Sequence, residues 1–360
     1  MAVCNEVPEK PRSIPRKAGP RLRDVAAAAG VSVSTASRAL SGAGASARAL
    51  ASVLSASERL GYRPDPVARA MRTGATGLAG IVVPAIGNPF FAELVEELES
   101  ALRSSEFEII LGNSGGSVKE ESHVVQTMVD RKVDALIVAP SNYQSSTAAL
   151  VRAQHRAVII QVDSEAGNVV SDFVGVDNAA GIRTVLEHVA DEGCHTVAFV
   201  SATGTTSTGD ARLRAFTEAV RRLSGSRTGL PQLKALGPPV LGSYSLEFGR
   251  EAVRHLIGRG LPDAIVCGDD LIALGVVREL RVRKVAVPDE VVVTGFDGIL
   301  FAELSDPPLT TLRQPVGAIA TETARRLKAR LSGDASPPQR SEIAPVLVVR
   351  GSSRRNTTSS

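Results

Sequence analysis

Residues 22–38 read LRDVAAAAGVSVSTASR, and this stretch decides the fold of the first part of the chain. Its first half is rich in strong helix formers and stops at Gly30, which is typical of a helix end. Ser32 is a good N-cap, so we predict a second helix over residues 33–40. Ser46 can cap a third helix that ends at Gly61. Its apolar positions are Leu50, Val53, Leu54 and Leu60. Two short helices joined at a glycine turn, with a third behind them, predict a helix-turn-helix.

Charge is distributed unevenly along the chain. Residues 1–75 contain twelve Lys and Arg against five Asp and Glu, a net charge of +7, and the remainder carries −4. A basic head on a mildly acidic body is typical of a nucleic-acid-binding protein with a separate sensor. Residues 1–20 contain four prolines and no apolar run, so we expect a disordered lead-in and no signal peptide.

From residue 78 onward, short apolar runs alternate with longer amphipathic ones. This alternation predicts an α/β body with two doubly wound parallel sheets, each covered by helices on both faces. The predicted strands are 78–83, 107–111, 135–139, 157–162, 196–200, 264–267 and 291–295. The predicted helices are 90–103, 119–131, 179–192, 211–223, 246–259, 271–281 and 316–331.

Composition and motifs exclude several other classes of protein. The chain has 360 residues, 43% of them hydrophobic and 22% charged, as in globular domains. No apolar run approaches the roughly 18–20 residues that cross a bilayer, so no membrane is expected. Three scattered cysteines without a CxxC pair argue against disulfides and zinc, and fit a reducing cytoplasm. There is no P-loop, GxSxG elbow or metal-type histidine spacing. We therefore expect neither an enzyme nor a metal or cofactor.

Eight motifs occur in order along the chain: LRDVA at 22–26, AGVSVSTASR at 29–38, LGYRP at 60–64, VARAM at 67–71, NPFF at 88–91, VGVDN at 174–178, VTGFD at 293–297 and PLTTLRQP at 308–315. Together they resemble the lactose/galactose-repressor family of bacterial transcription regulators. The resemblance implies a helix-turn-helix head and a periplasmic-binding-protein-like body of two lobes. It also implies a homodimer that binds a palindromic DNA operator.

The resemblance also implies a division of the chain. Residues 1–20 are the lead-in, 21–63 the DNA-binding domain and 64–76 the hinge helix and linker. Residues 77–351 form the effector-binding and dimerisation domain, in which the chain crosses between lobes near 174–178 and 305–315. Residues 352–360 are a tail.

The resemblance places a set of DNA-binding residues on the head. Val33, Ser34 and Arg38 would face base edges, where an arginine fork suits guanine. Ser32, Thr35 and Ser37 would approach phosphates. The remaining predicted contacts are Arg48, Tyr62, Ala68 and Met71. Met71 would act as the apolar wedge of the hinge helix in the minor groove. Packing of Val33 in the head core stays an alternative.

Ligands of doubly wound sheets bind beyond the carboxyl ends of the strands, so the loops that follow the strands are candidates. They contain Phe90, Phe91, Asp269 and Asp297, and the family resemblance adds Asp163 and Arg212 as effector contacts. Carboxylates and an arginine suit a polyol, because each can hold two adjacent hydroxyls. Two alternatives stay open: the phenylalanines as core residues, and Asp269 or Asp270 as a helix cap.

These features favour a repressor of carbohydrate-metabolism genes that a sugar-like effector releases. Asp163 is followed by Ser164, where the family often has Asp-Arg, and this departure puts one effector contact in doubt. It keeps open a DNA-bound regulator that answers a partner protein or a non-sugar metabolite. A solute-binding protein for transport is disfavoured by the basic head and the expected absence of a signal peptide.

Overall fold

The computed structural model of this protein describes residues 19–40, 44–63, 74–103, 107–224 and 232–355. The chain divides into two compact units, the first ending at Thr76 and the second beginning at Gly77. The predicted lead-in up to residue 18 and the predicted hinge-helix contacts Ala68 and Met71 lie outside the described residues.

The first unit contains three helices: α1 (Leu22–Ala29), α2 (Val33–Leu40) and α3 (Ala47–Leu60). α1 ends at Gly30, whose φ of 66° lies in the left-handed region that favours glycine. The Ser32 hydroxyl accepts a hydrogen bond from Thr35 N at 3.1 Å. The Ser46 hydroxyl accepts one from Ala49 N at 3.3 Å, so both predicted caps are confirmed.

The core of this head is built mainly from small side chains. Its buried residues are Val25, Ala26, Ala36, Ala39, Val53 and Ala56. The predicted apolar face of α3 is therefore wrong in part, because only Val53 is buried. Leu50 and Leu54 are 38% and 51% exposed. The alanines let the three helices approach closely, and the larger leucines lie outside that contact.

In the second unit, the first lobe is a parallel six-stranded sheet with the strand order β12-β5-β4-β3-β1-β2. The strands are β1 (Leu78–Val83), β2 (Glu108–Asn113), β3 (Ala135–Val138), β4 (Val158–Val162), β5 (Asp172–Val176) and β12 (Arg340–Ile343). The helices are α4 (Pro89–Leu102), α5 (Val118–Asp130), α6 (Thr147–Ala153) and α12 (Val316–Leu331).

The second lobe has a seven-stranded sheet with the order β13-β11-β10-β9-β6-β7, and β8 also pairs with β6. The strands are β6 (Thr196–Ala202), β7 (Lys234–Ala235), β8 (Val240–Gly242), β9 (Ala264–Cys267), β10 (Val292–Asp297), β11 (Thr310–Arg313) and β13 (Val346–Val348). The helices are α7 (Asn178–Asp191), α8 (Ser207–Ser224), α9 (Leu246–Ile257), α10 (Asp270–Val282) and α11 (Leu300–Leu304). All strand pairs in the two sheets are parallel except β11 with β13, which confirms the predicted fold class.

The chain passes between the lobes three times. It leaves the first sheet after β5, returns after β11 and leaves again between β12 and β13. The third passage, at residues 344–345, was not predicted. The three connecting segments together form the hinge between the two lobes. The space between the two sheets is a cleft.

The predicted boundary of the C-terminal tail is wrong, because residues 352 and 353 belong to the second lobe. Ser352 and Ser353 are fully buried. The Ser352 hydroxyl donates to the carbonyl of Val293 at 2.6 Å and accepts from Thr310 N at 2.8 Å. These two hydrogen bonds join Ser352 to the neighbouring strands β10 and β11.

Candidate functional site

The second helix of the head presents polar side chains at its start and in its last turn. Ser32, Ser34 and Arg38 are exposed. Val33 is 49% exposed, so it does not pack in the head core, and that alternative is excluded. A short helix with exposed polar residues at its N-terminus can enter the major groove of DNA.

Hydroxyl groups form a cluster at the N-terminus of α2. Ser32 Oγ lies 2.8 Å from both Ser34 Oγ and Thr35 Oγ1. The cluster sits where the helix dipole is positive, so it suits a phosphate oxygen. Arg48 is exposed on α3. Tyr62 is half-buried, and its carbonyl accepts a hydrogen bond from the Ser57 hydroxyl at 3.1 Å.

All six predicted effector residues line one cleft between the lobes. Its volume is about 420 Å³, within the roughly 300–1,000 Å³ of small-molecule sites. The carboxyl ends of β1, β3 and β4 approach it from the first lobe, and those of β6, β9 and β10 from the second. In each sheet the strand order reverses here, between β1 and β3 and between β6 and β9. This is the switch point where open α/β sheets bind ligands.

Arg212 is the charged centre of the second lobe's side of the cleft. Its side chain is 4% exposed, and Nε donates to Asn178 Oδ1 at 2.7 Å while Nη1 donates to the carbonyl of Gly268 at 2.5 Å. Its guanidinium lies 3.6 Å from the centre of the Phe296 ring, and Nη2 lies 3.7 Å from Asp297 Oδ1. These contacts fix the guanidinium in place before any ligand arrives.

Two of the cleft aspartates lie in strained backbone conformations. The φ of Asp163 is 59° and that of Asp297 is 110°. Non-glycine residues adopt such angles rarely, and they concentrate at functional sites. Gln314 Nε2 donates to Asp297 Oδ1 at 2.8 Å, so the Asp297 carboxylate is held toward Arg212.

Burial raises the pKa of all three cleft aspartates. Burial and the negative charge of Asp297 raise the pKa of Asp163 to about 7, although Arg212 acts in the opposite direction. Burial also raises the pKa of Asp269 and of Asp297, and the charge of Asp297 adds to the rise at Asp269. Each of these carboxyl groups therefore holds its proton to a higher pH than it would in water.

Phe90 and Phe91 belong both to the core and to the cleft. They are 3% and 9% exposed, and their rings meet edge to face with centres 5.0 Å apart. The core alternative and the ligand alternative are therefore compatible. A ring of a ligand can pack against these side chains without a further loss of their conformational entropy, because they are already fixed in the core.

The two neighbouring acids Asp269 and Asp270 have different structural roles. Asp269 caps α10, because its Oδ1 accepts from Ile272 N at 2.7 Å. Asp270 Oδ2 accepts from the backbone N of Gly298 and of Ile299, each at 2.8 Å. Asp270 thus holds the loop that follows β10, while Asp269 also faces the cleft.

Sequence reasoning missed other residues of the cleft, among them Ser141 and Tyr244. Both follow strands, so the rule that led to Asp269 and Asp297 applies to them as well. Ser141 comes three residues after β3. Tyr244 follows the three-residue strand β8, which was not predicted because so short a run has no clear periodicity.

We predict that the unliganded protein loses stability as the pH rises through about 7. A carboxyl whose pKa is higher in the folded than in the unfolded state stabilises the fold below its unfolded pKa, and this contribution is lost as the pH rises through the folded pKa. Denaturant unfolding of Asp163→Asn between pH 5 and 8.5 should show a flatter decline of the unfolding free energy than the unsubstituted protein. An identical decline in both proteins would contradict the assignment.

Within the ranges that the structure describes, no group of three His, Cys, Asp or Glu side chains could hold a metal ion. None of the described helices is long and apolar enough to span a bilayer.

The comparisons with known proteins agree with this architecture. Residues 21–65 match the lacI family of bacterial regulatory proteins, and residues 186–353 match the periplasmic binding protein-like domain. The HTH-type transcriptional regulator reg1 of Streptomyces lividans is 33% identical over 339 residues, covering 92% of this chain and 96% of that protein. A Lac repressor dimer bound to operator superposes with a TM-score of 0.81 at 21% identity, covering 94% of this chain and all of the other. The regulator CelR in complex with cellobiose has a TM-score of 0.66 at 26% identity, covering 92% and 99%.

The fold and the two sites define a transcription regulator with a DNA-binding head and a ligand cleft. The chain belongs to the lacI family of bacterial regulatory proteins, which confirms the resemblance drawn from the sequence.

Proposed function

We propose that this protein represses carbohydrate-metabolism genes until a sugar-like ligand binds its cleft. The observation that carries the proposal is that buried carboxylates and one arginine lie together in the cleft at the carboxyl ends of the strands of both sheets, in a chain that also has a DNA-binding head. Carboxylates and guanidinium groups hold adjacent hydroxyls of a polyol. The complex of CelR with cellobiose supports a sugar as the class of ligand.

On DNA, α2 would lie in the major groove with Arg38 and Ser34 at base edges. Val33 would contact a thymine methyl, and Ser32, Thr35 and Ser37 would approach phosphates. Arg48 and Tyr62 would add contacts to the backbone, and Ala68 and Met71 would follow in the minor groove. The operator is then a palindrome whose half-sites lie about one helical turn, or a multiple of it, apart.

The ligand would act by shifting the population of lobe arrangements. Two hydrogen bonds already join the lobes beside the cleft: Tyr143 N donates to the carbonyl of Thr205 at 2.9 Å, and Glu165 N donates to the Ser207 hydroxyl at 2.8 Å. A ligand held by Asp163 on one side and Asp297 on the other favours the arrangement that brings them together. The affinity for DNA then changes to the extent that the ligand binds one arrangement of the lobes more tightly than the other.

The second lobe offers a surface for the homodimer. Leu300, Phe301 and Leu304 are 67%, 52% and 69% exposed on one side of α11. Three large apolar side chains side by side mark an interaction surface. A C2 dimer through this helix would pair two heads for a palindromic operator.

We predict that Phe301→Asp converts the protein to monomers and weakens operator binding. A charge in the middle of an apolar interface loses its hydration without gaining a partner. Sedimentation velocity at micromolar concentration measures the effect. Val170→Asp, at a residue 71% exposed in the first lobe, is the matched control and should stay dimeric. A dimeric Phe301→Asp protein would exclude this surface.

The proposal assigns the protein no enzymatic activity and no cofactor, and it places its action in the cytoplasm, where the chromosome is. The test begins with selection of double-stranded DNA from a random pool. Thermal unfolding against sugars, sugar acids and polyols then identifies a ligand, because a ligand at about 100 times its Kd stabilises by about 2.7 kcal/mol. The expected result is that this ligand releases the selected DNA. A protein that selects DNA and binds no compound of the panel would answer a partner protein or a non-sugar metabolite instead.

A further inference from the structure

The cleft holds an excess of buried acidic groups over basic ones. Asp163, Asp269 and Asp297 are 7%, 2% and 8% exposed. Among the described residues that line the cleft, Arg212 is the only one with a positive side chain. Three carboxylates therefore share one guanidinium.

Arg212 does not neutralise all three acids, because its contacts are already committed. Two of its nitrogens donate to Asn178 and Gly268, its face covers Phe296, and the third nitrogen points to Asp297. Asp297 additionally accepts from Gln314. This leaves Asp163 and Asp269 without an ion pair among the described residues.

One carboxyl oxygen of Asp269 is available to bind a ligand. Its Oδ1 caps α10, while its buried Oδ2 accepts no hydrogen bond from any residue that the structure describes. The buried hydroxyl of Tyr244, also at the cleft, has no described partner either. A buried polar atom without a partner is costly, so Oδ2 of Asp269 favours a ligand that supplies a donor, and the Tyr244 hydroxyl favours a polar group that accepts from it or donates to it.

We propose that the ligand of this cleft is a hydroxylated ring that carries a protonated amine, as in an amino sugar or imino sugar, and that the amine binds Asp269. The inference rests on the proposed function and specifies its ligand class. A hydroxyl would satisfy the hydrogen bond of Oδ2 but not the charge of the carboxylate. An ammonium group satisfies both, and hydrogen bonds between charged groups are about twice as strong as neutral ones.

The remaining groups of the cleft fit the same ligand. Phe90 and Phe91 cover a ring face, and Asp163 and Asp297 can accept from hydroxyls. The raised pKa of Asp269, caused by burial and by Asp297, means that the amine displaces a proton from the unliganded cleft.

The experiment uses the full chain and compares ligands that differ at one position, where an amine replaces a hydroxyl or the ring oxygen. Glucosamine, galactosamine and mannosamine are titrated beside glucose, galactose and mannose, and 1-deoxynojirimycin beside 1-deoxyglucose. Calorimetry and thermal unfolding give the Kd of each. We expect at least one amine to bind tenfold or more tightly than its neutral counterpart, with weaker binding at high salt.

Asp269→Asn tests whether this residue carries the preference. Asparagine keeps the shape and can still cap α10, so the variant should fold and lose the preference for the amine. Asp306→Asn, at an exposed acid paired with Arg281 outside the cleft, is the matched control and should retain it.

Equal or tighter binding of the neutral sugars would overturn the inference and leave the proposed sugar response intact. Binding of the amines that is unchanged in Asp269→Asn would also overturn it. If no compound of either set binds, this ligand class is excluded, while DNA selection still tests the regulator separately.

Discussion

Arg38→Ala is expected to abolish the preference of the protein for its operator over unrelated DNA. Arg38 is exposed in the last turn of α2, one turn beyond the hydroxyl cluster of Ser32, Ser34 and Thr35 that we propose to lie at phosphates. A bidentate contact between arginine and guanine is worth about 1–3 kcal/mol of discrimination, or roughly 5- to 150-fold in each half-site. Fluorescence anisotropy with selected and scrambled duplexes measures this preference.

Arg59→Ala is the matched control for this prediction. Arg59 is an exposed cation in the last turn of α3 and lies outside the predicted reading set. Its removal lowers the net charge equally, so any loss of affinity should affect both duplexes alike and leave the preference unchanged. The assignment of Arg38 fails if its alanine variant still discriminates between the two duplexes. Dimerisation and ligand binding should be normal in both variants.

The parts of the fold that local sequence encodes were predicted closely. α2 at residues 33–40, β9 at 264–267 and α12 at 316–331 have their predicted bounds. Each is defined by a signal within the segment itself, such as the cap at Ser32 or a continuous apolar run. Such signals do not depend on distant parts of the chain.

Two of the strands that were not predicted, β12 and β13, depend on partners outside their own segment of the chain. β12 reads RSEI and has no apolar run, yet it pairs with β5 more than 160 residues earlier. β13 is a three-residue strand at the edge of the other sheet. Tertiary pairing decides whether such segments become strands, so the third passage between the lobes has no local signature.

In the candidate site, too, some features could be predicted from the local sequence and others could not. The rule that ligands bind after parallel strands, together with the family resemblance, was enough to predict six of the residues that line the cleft. It could not show that Asp269 caps a helix and also turns an unpartnered oxygen to the cleft, because both roles fit the same sequence. Nor could it show the strained φ of Asp297 or its contacts with Gln314 and Arg212.

Asp297→Asn is expected to weaken binding of the ligand at least tenfold. Its affinity for DNA without ligand should stay within about twofold of that of the unsubstituted protein. The carboxylate of Asp297 faces the guanidinium of Arg212, and the substitution removes a negative charge and one acceptor. Hydrogen bonds to charged groups contribute about 1.5–3 kcal/mol, or roughly 10- to 150-fold in affinity. Asparagine tolerates a positive φ better than most residues, so the backbone at 110° should persist.

Calorimetric titration with the ligand, followed by operator binding without it, separates the two effects. Asp306→Asn removes an exposed acid of the same lobe and should behave like the unsubstituted protein in both measurements. A normal titration of Asp297→Asn would exclude Asp297 from the ligand site. Loss of operator binding without ligand would point instead to a structural role, because an acid buried against Arg212 also stabilises the second lobe. If the variant binds the operator as tightly as the unsubstituted protein but no longer releases it when the ligand is added, Asp297 contacts the ligand. In that case the ligand no longer shifts the population of lobe arrangements.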